Sequence, residues 1–401
     1  MKNDFLRFID SIDLGDRKIV VLVTSGRNGS NLLQSLVDSH SSVLMMPTLF
    51  WFYTDWRRLI GATQKISVNE GLNFLRKSSF KMDWYTSGLG SDRNSSIFID
   101  RARIKNLILE LVGADGYVTR KELLMMLHYL YGIEKYNCLD ARRVVFFHHH
   151  FPFSSMARNY FGNGIKVNIP VVDELSDLIE DFPTSYILHS IRNPYTAYLS
   201  GFDADHDFKK LFDIRQHFFQ TLGLLSGLDL AVKRVASDVS REKGGYYLVK
   251  YEDLHIKPFE TLQRLILILG IKYEEILMNS TFEGKQWWGN NPAKPYSGTS
   301  PIFVKDIDVK KLARSVTSGL WDCLDKLAGD LGYKVIIRHQ HPLRKNRSNL
   351  FFLFKLTRGW IYFPLIIFFS VRGYRFFFHN IIFLILYPAY WRKMISSYQQ
   401  K

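Results

Sequence analysis

The sequence predicts an α/β fold, in which a parallel central sheet is flanked by helices and followed by a basic, hydrophobic C-terminal tail of helical pattern. Four short runs are apolar at nearly every residue, as buried parallel strands are. Segments with helical spacing lie between these runs, and polar residues follow each run where its strand would end. With 401 residues, 47% of them apolar, the chain is long enough to bury a large core.

The predicted strands alternate with helices along the chain. The first strand, residues 19–24 (IVVLVT), ends in a glycine turn, and leucines then recur at helical spacing over residues 32–37. The other predicted strands are residues 143–147 (RVVFF), 185–191 (SYILHSI) and 246–251 (YYLVKY), and helices are predicted at 218–237 and 258–269. Ligands bind at the carboxyl ends of such strands, so the polar residues found there are candidate site residues.

Residues 50–140 form a predicted helical insertion on the side of the fold from which a substrate would enter. Thr119 and Glu122 stand before an apolar run in the pattern of an N-terminal capping box. The insertion is rich in aromatic residues, which either stack on a bound substrate or belong to the core: Trp51, Phe52, Tyr53, Trp56, Trp84 and Tyr85.

The net charge of +15 is concentrated near the C-terminus. Residues 331–401 hold five lysines, seven arginines and no acidic residue, so this tail carries +12 and residues 1–330 carry only +3. The nearly balanced body gives no reason to expect a nucleic-acid partner. Cys138 and Cys323 have no CxxC partner, which excludes a disulfide framework or cysteine zinc site and fits a reducing compartment.

The tail contains two uncharged apolar stretches, residues 359–371 and 376–391, of 13 and 16 residues. A membrane-spanning helix needs about 20 residues, and Arg372 and Arg375 between the stretches would be costly inside a bilayer. We expect residues 350–395 to lie on an anionic membrane surface. A helical pair packed on the body or on a second subunit, and a true span, are the alternatives.

The N-terminal residues 1–16 contain no apolar signal segment. We therefore expect residues 1–330 to be cytoplasmic and peripheral on the inner face of the membrane.

The first predicted strand leads into the phosphate loop, residues 24–31 (TSGRNGSN). Glycines let backbone amides close around an anion, and the helix N-terminus adds the positive end of its dipole. The Lys-Ser/Thr pair of ATP-binding loops is missing, so a metal-bound nucleoside triphosphate is a poor fit. An ordinary strand–helix turn is the alternative to a phosphate site.

Four segments of the chain resemble the bacterial-type sulfotransferases that use 3′-phosphoadenosine 5′-phosphosulfate (PAPS). SGRNGSNLL, residues 25–33, resembles their 5′-phosphosulfate loop, and ILHSIRNPYTAYLSGF, residues 187–202, resembles their 3′-phosphate motif. YEDL at 251–254 and FEGKQWWG at 282–289 resemble a further conserved segment and the late loop that covers the nucleotide. The four occur in family order, and the carbohydrate- or lipid-directed branch is the one we expect.

The resemblance implies a role for each matching residue. Arg27 would be a catalytic cation beside the 5′-phosphosulfate, Arg192 and Ser200 would hold the 3′ phosphate, and Lys285 would close over the nucleotide. The other implied nucleotide-binding residues are Ser25, Gly26, Asn28, Gly29, Ser30, Asn31 and Tyr251. Two departures stand out: Asn31 replaces a common threonine, and no glutamate base follows the first helix.

Three consecutive histidines end the second predicted strand. His150-Phe-Pro152 resembles the segment that carries the general base in cytosolic sulfotransferases, and an imidazole with a pKa near 6.5 suits that work. In an extended chain His148 shares a face with His150 while His149 points away. We therefore assign His150 as base and His148 as its catalytic neighbour, with a structural role or a metal as alternatives. Adjacent histidines of one strand cannot all face one ion, so no metal is expected.

The function expected from these observations is transfer of the sulfuryl group from PAPS to a hydroxyl of a glycan or lipid-linked glycan. The alternatives are a P-loop nucleotide kinase or other NTPase, and an inactive, sulfotransferase-like binding protein associated with the membrane. Oligomeric state cannot be predicted from these motifs.

Overall fold

The computed structural model of the protein describes residues 1–24, 26–78, 87–98, 100–150, 172–204, 227–228, 244–289, 297–304, 306–309, 312 and 318–336. The chain forms two compact units. The first contains residues 1–193 and 219–305, and the second contains residues 194–218 and 306–401.

In chain order, the helices and strands of the first unit are α1 (Lys2–Asp13), β1 (Lys18–Thr24), α2 (Ser30–Val37), β2 (Val43–Phe50), α3 (Phe52–Leu59), β3 (Lys65–Ser67), α4 (Val68–Lys77), α5 (Arg101–Val112), β4 (Tyr117–Thr119), α6 (Arg120–Tyr136), β5 (Val144–His150), α7 (Val172–Asp181) and β6 (Tyr186–Ile191). The chain passes through α8 (Pro194–Ala204) of the second unit and returns with β7 (Gly245–Lys250), α9 (Tyr251–Ile256), α10 (Pro258–Leu269), β8 (Thr281–Phe282) and β9 (Lys285–Gln286). Helix α11 (Ser318–Asp330) belongs to the second unit.

The central sheet has five parallel strands in the order β2-β5-β1-β6-β7. This confirms the predicted parallel sheet, and β1, β5, β6 and β7 are the four strands predicted from the apolar runs. Helix α10 also has the bounds that the sequence predicts, with Pro258 at its first turn, where the missing amide hydrogen costs nothing.

Strand β2 was not among the predicted strands. It lies at the edge of the sheet, and its pairing with β5 shifts register between Met45 and Leu49, around Pro47. Proline has no amide hydrogen for the hydrogen-bond ladder and is confined to edge strands and bulges. Pro47 therefore argues against a strand in the sequence, although β2 is one.

Two hydrophobic clusters cover the two faces of the sheet. Alternate residues of β1 belong to different clusters: Val21 and Val23 pack with α1 and α3–α7, whereas Val20 and Leu22 pack with α2, α9 and α10. All four of these valine and leucine side chains are completely buried. Because both faces are covered, the strands carry uninterrupted apolar runs.

The predicted helical insertion consists of α3 to α6 and the β3–β4 hairpin. The predicted capping box is confirmed: the Thr119 hydroxyl accepts from the Glu122 amide, and the Glu122 carboxylate accepts from the Thr119 amide. The aromatic residues Trp51, Phe52, Tyr53 and Trp56 are all buried in the two hydrophobic clusters. These four are therefore core residues, while Trp84 and Tyr85 lie outside the described residues.

The second unit is described through α8 and α11, which pack together. The Tyr195 hydroxyl donates to Asp325 Oδ1 at 2.5 Å, and the Tyr195 and Trp321 rings lie 6.5 Å apart. The predicted helix at 218–237 and the tail from residue 337 onward fall almost entirely outside the described residues. Among the helices that are described, none combines the length and apolarity needed to cross a membrane. The predicted boundary between the body and the tail, at residue 331, stays a prediction.

Candidate active site

The candidate site lies at the carboxyl ends of three neighbouring strands. β1 pairs with β5 on one side and β6 on the other, and Thr24 at the end of β1 is level with His150 and Ser190. Because the strands are parallel, the phosphate loop after β1, the end of β5 and Arg192 after β6 meet at one edge of the sheet. The loop and Arg192 are the two parts of the site expected to bind anions, and both therefore lie at the carboxyl ends of the central strands.

The phosphate loop follows a path that few sequences adopt. Gly26, Arg27 and Gly29 have φ values of 91°, 54° and 78°, all in the left-handed region. Glycine adopts this region without penalty, but arginine does so at a cost, so the surrounding structure holds Arg27 there. The loop is tied to β6, because the Ser190 hydroxyl donates to the Asn28 carbonyl at 2.5 Å.

Helix α2 begins directly after this loop, with Gly29 at its N-cap and no side-chain cap on its first amides. The first amides of a helix need acceptors, and an anion at this position supplies them. Ser30 is buried in the first turn, and the buried Asn31 Oδ1 accepts no hydrogen bond from the described residues. Arg27 is exposed at the start of the loop. Ser25 lies outside the described residues.

Tyr251 joins the two parts of the site. Its ring lies so close to Gly29 that a Cβ atom there would come within 2.2 Å of Tyr251 Cδ2. On the same ring, the Arg192 guanidinium carbon lies 4.4 Å from the ring centroid, a cation–π geometry. The next residue, Glu252, accepts from the Asn193 amide at 2.9 Å. The start of α9 thus touches the phosphate loop and the segment that carries Arg192.

The histidines of β5 alternate between the faces of the sheet, as the sequence predicts. His148 Nδ1 donates to Gln34 Oε1 of α2 at 2.9 Å, and Gln34 Nε2 donates to the Met46 carbonyl at 3.5 Å. His149 Nε2 accepts from the Tyr53 amide of α3 at 3.4 Å, on the other face.

Burial lowers the pKa of both His148 and His149 to about 3, so both imidazoles are neutral near pH 7. The described contacts of His148 are those of an interior residue, and its catalytic role stays a prediction. β5 ends at His150, whose side chain lies outside the described set, so the assignment of the base also stays a prediction. Within the described residues, no three histidine, cysteine or acidic side chains form a group able to hold a metal ion.

Ser200 and Lys285 are the two remaining predicted site residues. Ser200 is in the middle of α8, which belongs to the second unit, and its contribution to the 3′-phosphate site stays a prediction. Lys285 lies on β9, where its ammonium donates to the Ser96 carbonyl at 2.5 Å. The β8–β9 turn is attached beyond the far end of α2, because the Gly284 amide donates to the Ser39 hydroxyl. These contacts give no support to Lys285 as a nucleotide ligand.

Sequence reasoning missed two features of the site. Gln34 is completely buried beside the apolar residues of α2, and a polar residue at such a position signals a buried hydrogen bond. Tyr251 contacts Gly29, which is far from it in the chain. Local sequence patterns cannot predict such a contact.

The chain matches a family model over more than half of its length. The family model described as "Sulfotransferase family" matches residues 20–275. A comparison with curated proteins found no match. Nothing in the comparisons supports a nucleotide kinase.

Among solved structures, the sulfotransferase domain from the curacin biosynthetic pathway is 18% identical, with 80% of this chain and 99% of that domain covered and a TM-score of 0.44. The sulfotransferase domain of the Synechococcus PCC 7002 olefin synthase is 15% identical, covering 80% and 97%, with a TM-score of 0.41. A sulfotransferase from Alicyclobacillus acidocaldarius is 13% identical, covering 79% and 96%, with a TM-score of 0.36. The family assignment rests on the family model and not on these similarities.

Proposed function

Because the chain belongs to the sulfotransferase family, we propose that it transfers the sulfuryl group of PAPS to the hydroxyl of an acceptor. One observation carries the choice of donor: the phosphate loop and Arg192 lie on one edge of the sheet and both contact Tyr251. PAPS has an anionic group at each end of its ribose, a phosphosulfate at the 5′ position and a phosphate at the 3′ position. The loop suits the first anion, and a guanidinium suits the second.

In the proposed transfer, a bond forms between the acceptor oxygen and sulfur while the bond from sulfur to the 5′-phosphate oxygen breaks. His150 takes the proton of the acceptor hydroxyl. Arg27 and the amides at the start of α2 stabilise the negative charge that remains on the 5′ phosphate. Arg192 holds the 3′ phosphate, and 3′-phosphoadenosine 5′-phosphate is the leaving group.

The proposed acceptor is a glycan or lipid-linked glycan at the cytoplasmic face of a membrane. The sequence of the tail supports this location, since residues 331–401 carry +12 and include two apolar stretches. The buried aromatic residues Trp51, Phe52, Tyr53 and Trp56 do not support it, because they belong to the core.

Transfer of radiolabelled sulfate from PAPS tests this proposal. The full-length protein is incubated with labelled PAPS and a membrane extract, and the products are separated into lipid-soluble and water-soluble fractions. We expect label in the lipid-soluble fraction. Label in water-soluble products alone would contradict a lipid-linked acceptor. If the protein binds the nucleotide but transfers no label from PAPS to either fraction, the proposed enzyme activity is wrong.

Replacing Arg192 by alanine is expected to weaken binding of 3′-phosphoadenosine 5′-phosphate by about tenfold to a hundredfold, since a hydrogen bond to a charged group contributes about 1.5–3 kcal/mol. Titration calorimetry on the full-length protein measures this. The matched control is Arg264→Ala, which removes an exposed arginine of α10 in the same unit and should leave the affinity unchanged. Equal affinities of the wild type and Arg192→Ala would show that Arg192 does not bind the nucleotide.

Substitution Gly29→Ala is expected to weaken the same binding by at least about tenfold, because overpacking costs about 1–3 kcal/mol and a left-handed alanine about 1–2 kcal/mol. The new Cβ would meet Tyr251 at 2.2 Å. Gly15→Ala is the control: Gly15 has a similar φ of 84°, but nothing lies within 4 Å of its Cβ position. Gly15→Ala should keep wild-type affinity, and wild-type affinity in Gly29→Ala would argue against a nucleotide at the loop.

A further inference from the structure

His255, at the end of α9, contacts both Tyr251 and the segment of residues 297–304. Its side chain is 1% exposed. The ring centroid lies 4.4 Å from that of Tyr251 in an edge-on arrangement, and 5.4 Å from that of Phe303. Nδ1 of His255 accepts a hydrogen bond from the Ser300 amide at 3.1 Å. Phe303, His255, Tyr251 and Arg192 therefore form a continuous row of contacting side chains within the first unit.

The hydrogen bond from Ser300 determines the state of the imidazole. A ring nitrogen that accepts from an amide carries a lone pair, so the ring proton of His255 is on Nε2 and the side chain is neutral. Burial and the nearby charge of Arg192 both favour this state, and they lower the pKa of His255 to about 4. At neutral pH the imidazole holds the Ser300 amide and adds no charge beside Arg192.

We propose that His255 is a positioning residue for the 3′-phosphate site, which tethers residues 297–304 to the Tyr251–Arg192 stack by accepting the Ser300 amide hydrogen. The inference rests on the proposed function, in which Arg192 binds the 3′ phosphate. Residues 297–304 follow β9 by a short stretch of chain. His255 attaches them to Tyr251, the ring that Arg192 contacts. Loss of the tether then frees Tyr251 and Arg192 from one of their supports and shortens the residence of the nucleotide.

Two substitutions separate the hydrogen bond from the ring. His255→Phe keeps an aromatic ring against Tyr251 but removes the acceptor, whereas His255→Asn loses the ring but places a carbonyl oxygen near the position of Nδ1. We expect His255→Phe to raise the Kd of 3′-phosphoadenosine 5′-phosphate by about tenfold, the effect of one buried hydrogen bond. The KM for PAPS should rise in parallel while kcat does not fall, and His255→Asn should recover most of the affinity.

His128→Phe provides the matched control. His128 is also completely buried, its Nδ1 bonds the Leu124 carbonyl within α6, and it packs with Phe147 on the opposite face of the sheet. The His128→Phe variant should change the melting temperature without changing the Kd of 3′-phosphoadenosine 5′-phosphate. If His255→Phe does not fold, His255→Gln serves instead, because its amide oxygen reaches the position of Nε2 and leaves Ser300 without an acceptor.

The outcomes distinguish this inference from the proposed function. The tether would be wrong if His255→Phe kept the wild-type Kd, or if His255→Asn raised the Kd as much as His255→Phe does. In either case, nucleotide binding by the wild type would still support the proposed function. Failure of the wild type to bind 3′-phosphoadenosine 5′-phosphate would overturn both.

Discussion

Replacing His150 by alanine is expected to lower turnover by a factor of about 10²–10⁴, the contribution of a general base, and to leave nucleotide affinity unchanged. The expectation follows from the position of His150 in the sheet. It is the last residue of β5 and pairs with Thr24, the residue from which the phosphate loop departs. A base at that position stands beside the proposed phosphosulfate, whereas the nucleotide is held by the loop and Arg192.

The pH dependence of turnover checks the same assignment. Wild-type kcat should fall at acid pH, because a protonated imidazole accepts no proton. The residual turnover of His150→Ala should lack this dependence. Turnover within about tenfold of the wild type would contradict the assignment, because a general base contributes more than that.

Arg120→Ala is expected to reduce the free energy of unfolding by about 3–5 kcal/mol, a large share of the 5–15 kcal/mol of a typical domain. Arg120, at the start of α6, has a side chain that is 3% exposed and reaches three carboxylates of α7. Its nitrogens lie 3.1 Å from Asp177, 3.2 Å from Glu180 and 2.8 Å from Asp181. Removing the cation leaves the buried Asp181 carboxylate without its ion pair, and this accounts for most of the expected loss, because Asp177 keeps its pair with Arg57 and Glu180 is exposed.

Urea unfolding of the full-length protein measures the loss, with Arg7→Ala as the control. Arg7 forms an ion pair with Asp4 at 3.9 Å, but its side chain is 79% exposed. Exposed pairs contribute about 0–1 kcal/mol, so Arg7→Ala should change little. Equal changes in the two variants would mean that the Arg120 network does not support the packing of α6 on α7.

The central strands were predictable from sequence because burial on both faces favours uninterrupted apolar runs. β1 shows this, with Val20, Val21, Leu22 and Val23 completely buried. Strand β2 was not predicted, because an edge strand tolerates a proline such as Pro47 and a shift of register. Helix α1 was also not predicted, although its buried Phe5, Phe8 and Ile12 recur at helical spacing.

The candidate site was predictable in its local parts and not in its long-range contacts. The phosphate loop and Arg192 follow apolar strands, so local sequence and the rule for parallel sheets place them at the same edge. The packing of Tyr251 between Gly29 and Arg192 depends on how three separate segments meet. Arg120 likewise finds Asp181 across 61 positions of the chain. Tertiary packing decides such contacts, and neither periodicity nor a motif encodes them.

The central claim is that one nucleotide spans the phosphate loop and Arg192. Titration calorimetry of the wild-type protein with 3′-phosphoadenosine 5′-phosphate and with adenosine 5′-phosphate, which lacks the 3′ phosphate, tests it most directly. We expect the bisphosphate to bind at least about tenfold more tightly, because it alone reaches the guanidinium of Arg192. Equal affinities for the two nucleotides, or no binding of either, would contradict the claim.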